Sequence, residues 1–206
     1  MSNELIDAII ELEWDMFKEA NTQAGQAPYR EDHIAFMILR TSQIEPWPEK
    51  LLKSHHFDLE LAKKQKRNLL MEKCSRMMET VYPEDYAEFA PLLPPIDEDA
   101  CALIEEIVAV FVGWRTEIFD KYPNLSFQNA TVHTAQDTPA EISFETFFRN
   151  ELRTYSPATL ELFKKMTLES ADEGVNLDET HMLSMMKKYG FSTLEEANAK
   201  AAEAAE

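Results

Sequence analysis

The sequence predicts an all-α protein, a single-domain bundle of about seven helices with a long irregular loop at about 122–142. Apolar residues recur every three or four positions through most of the chain, which is the spacing of an amphipathic helix. The ten prolines fall between these periodic segments or in their first turns, because proline is excluded from helix interiors. Three of the four glycines, Gly25, Gly174 and Gly190, follow periodic segments as helix stops do.

The N-terminal half predicts three helices. The first covers about 3–22 and the second about 30–43, and each has one apolar face. The third runs from about 48 to 81, with a candidate break near Phe57. The prolines of 83–97 then predict a connection between the two halves of the chain.

The C-terminal half begins with the segment 98–121, which is apolar nearly all round and is therefore predicted to be the central buried helix. The loop that follows has no helical period, and a short extended piece is expected at about 130–134. Loops of this length are uncommon unless they are functional or mobile. Three further helices are predicted to begin near Ser143, Ser156 and Asn176, because serine and asparagine are preferred at helix N-caps.

The whole chain, 1–206, is expected to form one helical domain, since its length suits a single hydrophobic core. The parts of that domain are the N-terminal helices (1–82), the proline-rich connection (83–97), the C-terminal helices (98–196) and a tail (197–206). The tail has helix-forming residues but nothing to bury, so it is expected to fray.

The chain is strongly acidic, with 38 acidic and 20 basic residues and a formal net charge of −18. Most of such a surface would repel a phosphate backbone or an anionic membrane. No apolar run approaches the roughly 18 residues that span a bilayer. We therefore expect neither a nucleic-acid partner nor a membrane partner.

The expected cellular location rests on the N-terminus and the cysteines. The N-terminus lacks the basic and apolar regions of a signal peptide. Cys74 and Cys101 both lie within apolar helical patterns, so both are expected to be buried free thiols. Two isolated thiols suit a reducing compartment, which makes the cytoplasm the expected location.

Positive charge is concentrated in the segment 50–76, which holds eight of the 20 basic residues and three acidic ones. The default interpretation is a solvated helix face, and the alternative is an anion site or a surface for an acidic partner. Three methionines later in the chain are expected to be core or partner-facing side chains: Met182, Met185 and Met186.

Glu13 occupies a position where the helical period of its segment calls for an apolar residue. The same is true of Arg40 on the second predicted helix. A lone buried charge is costly, so each of these residues needs a partner. The simplest solution is that Glu13 and Arg40 meet as a buried, charge-assisted pair.

The fifth predicted helix repeats this pattern, because Glu151 lies among its apolar residues and Tyr155 follows one turn later. Other charged residues border the apolar faces of this helix and of 98–121, namely Glu105, Glu106, Glu145 and Arg149. Together with Glu13 and Arg40, these side chains are expected to converge inside the bundle.

No metal site and no cofactor are expected. Carboxylate-bridged iron bundles use Glu-x-x-His motifs on paired helices, and none of the five histidines has that spacing. The sequence also has no nucleophile elbow and no phosphate-binding loop.

Several stretches resemble a bacterial family known as domain of unknown function 4125: the Glu13-Trp14 pair, 40–43, 143–156 and 189–191. The resemblance covers nearly the whole chain. It implies a bacterial protein without an assigned activity, associated in some members with nucleotidyltransferase-like proteins. The family pattern contains Glu13, Trp14, Arg40, Ser42, Gln43, Glu145, Arg149, Glu151, Thr154, Tyr155 and Ser156. The chain departs from it at 26–33, where the family has a Cys-Gln pair and a tryptophan.

Two hypotheses about function follow. In the first, the bundle contains a polar pocket for a small molecule, and the protein is a binding protein or an acid–base enzyme with at least one raised carboxylate pKa. Its catalytic candidates are Glu13, Glu145 and Glu151, and its ligand-binding candidates are Trp14, Arg40, Ser42, Gln43, Arg149 and Tyr155.

In the second hypothesis the polar network is structural, and the protein is an interaction module or an accessory subunit. The partner that the resemblance suggests is a nucleotidyltransferase-like protein. This hypothesis predicts an exposed apolar patch near 182–186 or a partner surface on 50–76.

Overall fold

A computed structural model describes residues 2–24, 32–125 and 131–204 of the chain. Within these ranges the protein is all-helical and has no strand, which confirms the predicted fold class, but it has ten α-helices where about seven were predicted. The helices are α1 (Ser2–Ala24), α2 (His33–Ile44), α3 (Glu49–Lys64), α4 (Leu69–Val81), α5 (Pro83–Phe89), α6 (Glu98–Lys121), α7 (Phe144–Leu152), α8 (Pro157–Asp172), α9 (Leu177–Lys188) and α10 (Leu194–Ala204).

The long third helix is in fact two helices, and the break lies at 65–68 and not near Phe57. Lys66 adopts a left-handed conformation with a φ of +57°. The N–H of Lys66 donates to the carbonyl of Lys63 and the N–H of Arg67 donates to that of Ala62, as in a Schellman helix end. Glycine is the usual residue at the left-handed position, so a lysine there gives no sequence signal for the break.

The proline-rich connection also contains a helix. Pro83 is the first residue of α5, a position where the missing N–H and the fixed φ of proline favour a helix. A short 3₁₀ helix, Ala90–Leu92, follows, and the Asp97 side chain then accepts from the N–H of Asp99 to cap α6. The prolines therefore mark a helix start here as well as a connection.

The prediction that α6 is the central buried helix holds for only one of its faces. Its buried face carries Ile104, Ile107 and Phe111, whereas the opposite face, which includes Cys101 and Gly113, is exposed. Both free thiols, at Cys74 and Cys101, are exposed, although burial was expected. The residues on the exposed face of α6 are mostly small or charged, and composition alone does not show which side of an apolar helix faces its neighbours.

Three apolar clusters form the core. The first joins α1, α2, α3 and α4 around residues such as Ile9 and Leu52, and the second joins α6, α7 and α8 around Ile107 and Phe163. The third lies where the end of α6 meets α9 and α10. Trp47 packs against both the first and the second cluster, so the two large clusters meet near this side chain.

The described part of the predicted long loop folds back onto the start of α7. The N–H groups of Phe144 and Glu145 donate to the carbonyls of Thr131 and Val132. Of the extended piece expected at about 130–134, residue 130 lies outside the described residues, 131–133 form no strand, and Thr134 begins a 3₁₀ helix, Thr134–Gln136. The loop is therefore attached to α7 by backbone hydrogen bonds.

The C-terminal segment that was expected to fray is helical in the structure as far as Ala204. Leu194 and Ala197 of α10 are buried against Ile118 and Tyr122, so this segment does have an apolar surface to cover. Among the described residues, no helix is both long and apolar enough to cross a membrane.

Replacing Lys66 by glycine is predicted to stabilise the protein. A left-handed conformation strains a residue with a Cβ, and the side chain of Lys66 is exposed. We expect Lys66→Gly to raise the free energy of unfolding by about 0.5–1 kcal/mol in urea denaturation. The control Glu60→Gly, at an exposed position inside α3, should lower it by about 1 kcal/mol. A loss of stability in both variants would contradict the prediction.

Candidate functional site

Glu13 of α1 and Arg40 of α2 form the buried pair that their positions on apolar faces predicted. Arg40 Nε lies 2.7 Å from Glu13 Oε2, and Arg40 Nη2 lies 2.6 Å from Glu13 Oε1. The two side chains are 11% and 12% exposed. Two parallel hydrogen bonds between a guanidinium and a carboxylate are strong and fix their relative orientation, so this pair holds α1 against α2.

Glu151 of α7 extends the pair into a network. Its Oε1 accepts from Arg40 Nη1 at 3.0 Å and from the hydroxyl of Tyr155 at 3.3 Å. Its Oε2 accepts from Lys73 Nζ of α4 at 2.7 Å. The Lys73 ammonium also lies 3.2 Å from the centroid of the Phe147 ring, a cation–π contact. One carboxylate therefore binds cations from two other helices.

Two further side chains complete the network around Arg40. His55 of α3 places Nε2 2.9 Å from Glu13 Oε1, and its imidazole is 3% exposed. Gln43 of α2 accepts a hydrogen bond from Arg40 Nη1 through its side-chain oxygen. Arg40 thus makes hydrogen bonds to three side chains, and the network draws on α1, α2, α3, α4 and α7.

The two carboxylates of the network are ionised at neutral pH. Burial opposes their charge, but Arg40 and the hydrogen bond from His55 lower the pKa of Glu13 to about 2. Burial likewise opposes the charge of Glu151, but Lys73 and Arg40 hold its pKa well below the usual value. Neither carboxylate therefore has the raised pKa that the acid–base hypothesis required. A carboxylate with a lowered pKa is a poor proton acceptor at neutral pH.

The other members of the network are also electrostatically coupled. Burial lowers the pKa of Lys73, and the charge of Glu151 only partly offsets this effect. Burial, followed by the charge of Glu151, raises the pKa of Tyr155 well above its ordinary value, so its hydroxyl stays protonated and donates. The two positive charges of Arg40 and Lys73 thus match the two negative charges of Glu13 and Glu151.

A first cleft of about 160 Å³ lies beside this network. Its polar wall consists of eight side chains: Glu13, Arg40, Gln43, His55, Lys73, Glu151, Thr154 and Tyr155. Its apolar wall includes Phe17, Phe36, Leu59, Leu69, Leu70 and Phe147. Apolar walls with a few fixed polar groups are typical of small-molecule sites in proteins.

A second cleft, of about 100 Å³, shares six lining residues with the first, among them Arg40 and Glu151. Its far wall carries a second buried ion pair, in which Arg115 Nε and Nη2 donate to Asp178 at 2.5 and 2.7 Å. His181 lies beside this pair, with Nδ1 3.7 Å from Asp178 Oδ1. Arg40 and Glu151 of the charge network therefore line both clefts.

Glu145 and Arg149 do not join the network, contrary to expectation. Arg149 binds Glu145 at 2.7 Å and Glu105 at 2.7 and 3.0 Å, while Glu145 accepts from the N–H of Thr134. Neither residue lines the two clefts, and Glu105 and Glu106 are exposed. They border the apolar face of their helices but point toward the surface, where Glu145 and Arg149 hold the loop onto α7.

Two other residues of the family pattern, Trp14 and Ser42, make contacts within the helical packing. Trp14 stacks against Phe17, His33 and Phe36 at centroid distances of 4.6–5.3 Å. Ser42 is fully buried and donates to a carbonyl in its own helix. Of the departure at 26–33, residues 26–31 lie outside the described residues.

Two other positions of the family pattern lie in the turn between α7 and α8. Thr154 lines the first cleft, and Ser156 caps α8 by accepting from the N–H of Thr159. Among the described residues, no group of three or more His, Cys, Asp or Glu side chains is placed to hold a metal ion.

Sequence reasoning missed His55 and Lys73, although a signal for both was present. His55 follows Leu51 by four positions and precedes Leu59 by four, so it lies on the apolar face of α3. Lys73 follows Leu69 by four positions in the same way. Both residues are polar at positions where the helical period calls for an apolar side chain, which is the criterion that identified Glu13. The excess of positive charge in 50–76 instead favoured the interpretation that this helix has a solvated face. In the structure Lys73 and Arg76 are buried.

The effect of Glu13 on stability should depend on pH. Its folded-state pKa lies below its ordinary value of 4.5, so its ionised form stabilises the fold above that pH, and this stabilisation is lost as the pH falls through about 2. In urea denaturation, Glu13→Gln should lower the free energy of unfolding by about 3 kcal/mol at pH about 7. This difference in the free energy of unfolding between the wild type and the variant should shrink as the pH falls below about 4. Exposed Glu11, changed to Gln, is the control and should have little effect at either pH. An equal deficit for Glu13→Gln at both pH values would refute the assignment.

Lys73 and Glu151 should be strongly coupled. We expect a double-mutant cycle of Lys73→Met and Glu151→Gln to give a coupling of more than about 1 kcal/mol in the free energy of unfolding, because each single variant leaves a buried charge without its partner. The exposed pair of Lys53 and Glu49 provides a matched control cycle with a coupling below about 0.5 kcal/mol. Equal coupling free energies in the two cycles would contradict the prediction, because they would show that burial does not strengthen the interaction between Lys73 and Glu151.

Comparison with known proteins identifies one family. A sequence model described as "Protein of unknown function (DUF4125)" matches residues 3–199, nearly the whole chain, which confirms the resemblance found in the sequence. No curated protein and no solved structure shows a significant match. The match covers both the network residues and the helices that position them. The chain therefore belongs to the DUF4125 family of proteins of unknown function.

Proposed function

We propose that this protein binds a small organic molecule in the first cleft, with the charge network as the polar wall of the site. The observation that supports this function is a cleft of about 160 Å³ bordered on one side by ionised side chains and on the other by apolar ones. An apolar surface supplies affinity, and fixed polar groups supply orientation and specificity.

A purely structural role explains the network less well. Buried ion pairs contribute little net stability, because desolvation of the charges offsets most of their attraction. A network that serves only to hold helices together is expected to be covered by packed side chains. This network instead borders two clefts, and Arg40 and Glu151 line both of them.

The state of the carboxylates supports binding in preference to acid–base catalysis. Glu13, Glu145 and Glu151 each have an arginine or lysine partner, and the pKa of each is lowered. A general base works best with a pKa near the operating pH, and these carboxylates lie far below it. Their role in the proposal is to hold Arg40 and Lys73 in place.

The interaction-module hypothesis has less support than it had from the sequence. Met182 is buried and Met185 and Met186 are half-buried, so they form no exposed patch. What still favours a partner surface is Phe57 on α3, which is 63% exposed, with Leu61 one turn later. Docking of a nucleotidyltransferase-like protein on 50–76 stays a prediction.

A thermal-shift screen with small uncharged organic molecules tests the proposed site. A ligand at 100 times its dissociation constant should stabilise the protein by about 2.7 kcal/mol, or about 5–10 °C in Tm. Leu70→Trp should abolish the shift, because Leu70 lines the first cleft and a larger side chain would fill it. Leu168→Trp on α8 is the control, since Leu168 is exposed and lines neither cleft.

Two outcomes would count against the site. One is a screen in which no compound raises the Tm of the wild-type protein. The other is a bound compound whose shift survives in Leu70→Trp, since it would have to bind elsewhere on the protein.

A further inference from the structure

His55 has a buried polar atom that the network does not use. Its imidazole packs against the rings of Trp47 and Tyr155, at centroid distances of 5.5 and 4.8 Å. Nε2 contacts Glu13, but Nδ1 is buried and has no hydrogen-bond partner within the part of the chain that the structure describes. Buried polar atoms nearly always have a partner, so one from outside the described residues is called for.

The hydrogen-bonding role of Nδ1 follows from its neighbour. The ionised carboxylate of Glu13 can only accept, so Nε2 of His55 carries the hydrogen and donates it. In a neutral imidazole the second nitrogen then has a free lone pair. A neutral ring also preserves the charge balance of the network, in which Arg40 and Lys73 offset the two carboxylates. Nδ1 is therefore an acceptor without a donor.

The size and walls of the first cleft restrict what can supply that donor. An engineered apolar cavity of about 150 Å³ in another protein holds one benzene ring, and the cleft that His55 lines has about 160 Å³. The rings of Phe17, Phe36 and Phe147 form part of its apolar wall. Aromatic side chains pack well against a flat ring, either edge to face or offset. The space thus suits one aromatic ring.

The charge of the network restricts the ligand further. Two carboxylates and two cations already compensate one another in the wall of the cleft. A charged ligand bound among them would leave one buried charge without a counterion, which is costly. An uncharged ligand avoids this cost.

We propose that the first cleft binds an uncharged, single-ring aromatic or heteroaromatic molecule whose O–H or N–H group donates a hydrogen bond to Nδ1 of His55. The inference rests on the small-molecule site proposed above and specifies the class of its ligand. The neighbouring ammonium of Lys73 also lines the cleft, so a ligand that carries an acceptor beside its donor could bind both groups.

Three matched probes separate the requirements of this proposal. Para-fluorophenol has the ring and the donor, para-fluoroanisole has the ring with the donor capped, and para-fluorobenzoate has the ring with a negative charge. Titrations followed by fluorine NMR should show that the phenol binds at least about tenfold more tightly than the other two. Equal affinity of the phenol and the anisole would overturn the inference.

His55→Phe tests the acceptor directly, since it keeps a ring in place and removes Nδ1. The affinity for para-fluorophenol should fall about tenfold, to that of para-fluoroanisole, while the affinity for the anisole changes little. The control is His56→Phe, the same substitution at the next residue, whose side chain does not line the first cleft. It should leave the affinities for the phenol and for the anisole unaltered. An unchanged phenol affinity in His55→Phe would overturn the inference.

The wild-type protein offers a second measurement that does not depend on how the variant folds. Long-range proton–nitrogen NMR spectra of the histidine rings should show His55 with hydrogen on Nε2 and a lone pair on Nδ1. Addition of para-fluorophenol should shift the Nδ1 signal, and para-fluoroanisole should not. A ring with hydrogen on Nδ1 in the free protein would overturn the inference.

The outcomes also distinguish this inference from the proposed function. If other compounds bind in a way that Leu70→Trp abolishes but the phenol is not preferred, the small-molecule site stands and the ligand class is wrong. If no compound of any class binds, both proposals fail together.

Discussion

The guanidinium of Arg40 is the group on which the arrangement of the site depends. An arginine side chain stays ionised in proteins, so a buried one needs acceptors within hydrogen-bond reach, and carboxylates also neutralise its charge. Glu13 supplies two hydrogen bonds from α1, and Glu151 supplies a third from α7. Since Glu151 also binds Lys73 of α4, the need to neutralise one cation determines how four helices face one another.

This arrangement gives a wall of side chains whose charges are held in place. The partners of Glu13 and Glu151 lower their pKa values, so both carboxylates remain ionised near neutrality and act as fixed counterions. A preorganised wall of this kind can orient a ligand without itself rearranging. The two clefts that Arg40 and Glu151 line are where such orientation can be used.

The same combination of groups occurs once beside each of the two clefts. Glu13 with His55 and Asp178 with His181 each place a histidine beside a carboxylate that an arginine holds ionised. In both histidines one ring nitrogen is buried and has no partner among the described residues. Helices that are distant in sequence therefore build two similar polar groups, one on each side of an aromatic core.

The sequence by itself determined the fold class, the starts of three helices at Ser143, Ser156 and Asn176, and the place of Glu13 and Arg40 on apolar faces. All of these follow from spacing and capping residues within single helices. Only the tertiary structure decided which charged faces meet. It placed His55 and Lys73 in the network, left Glu145 and Arg149 near the surface, and exposed both cysteines. The physical reason is that helical spacing reports the face on which a side chain lies, whereas burial and partners depend on which other helices cover that face.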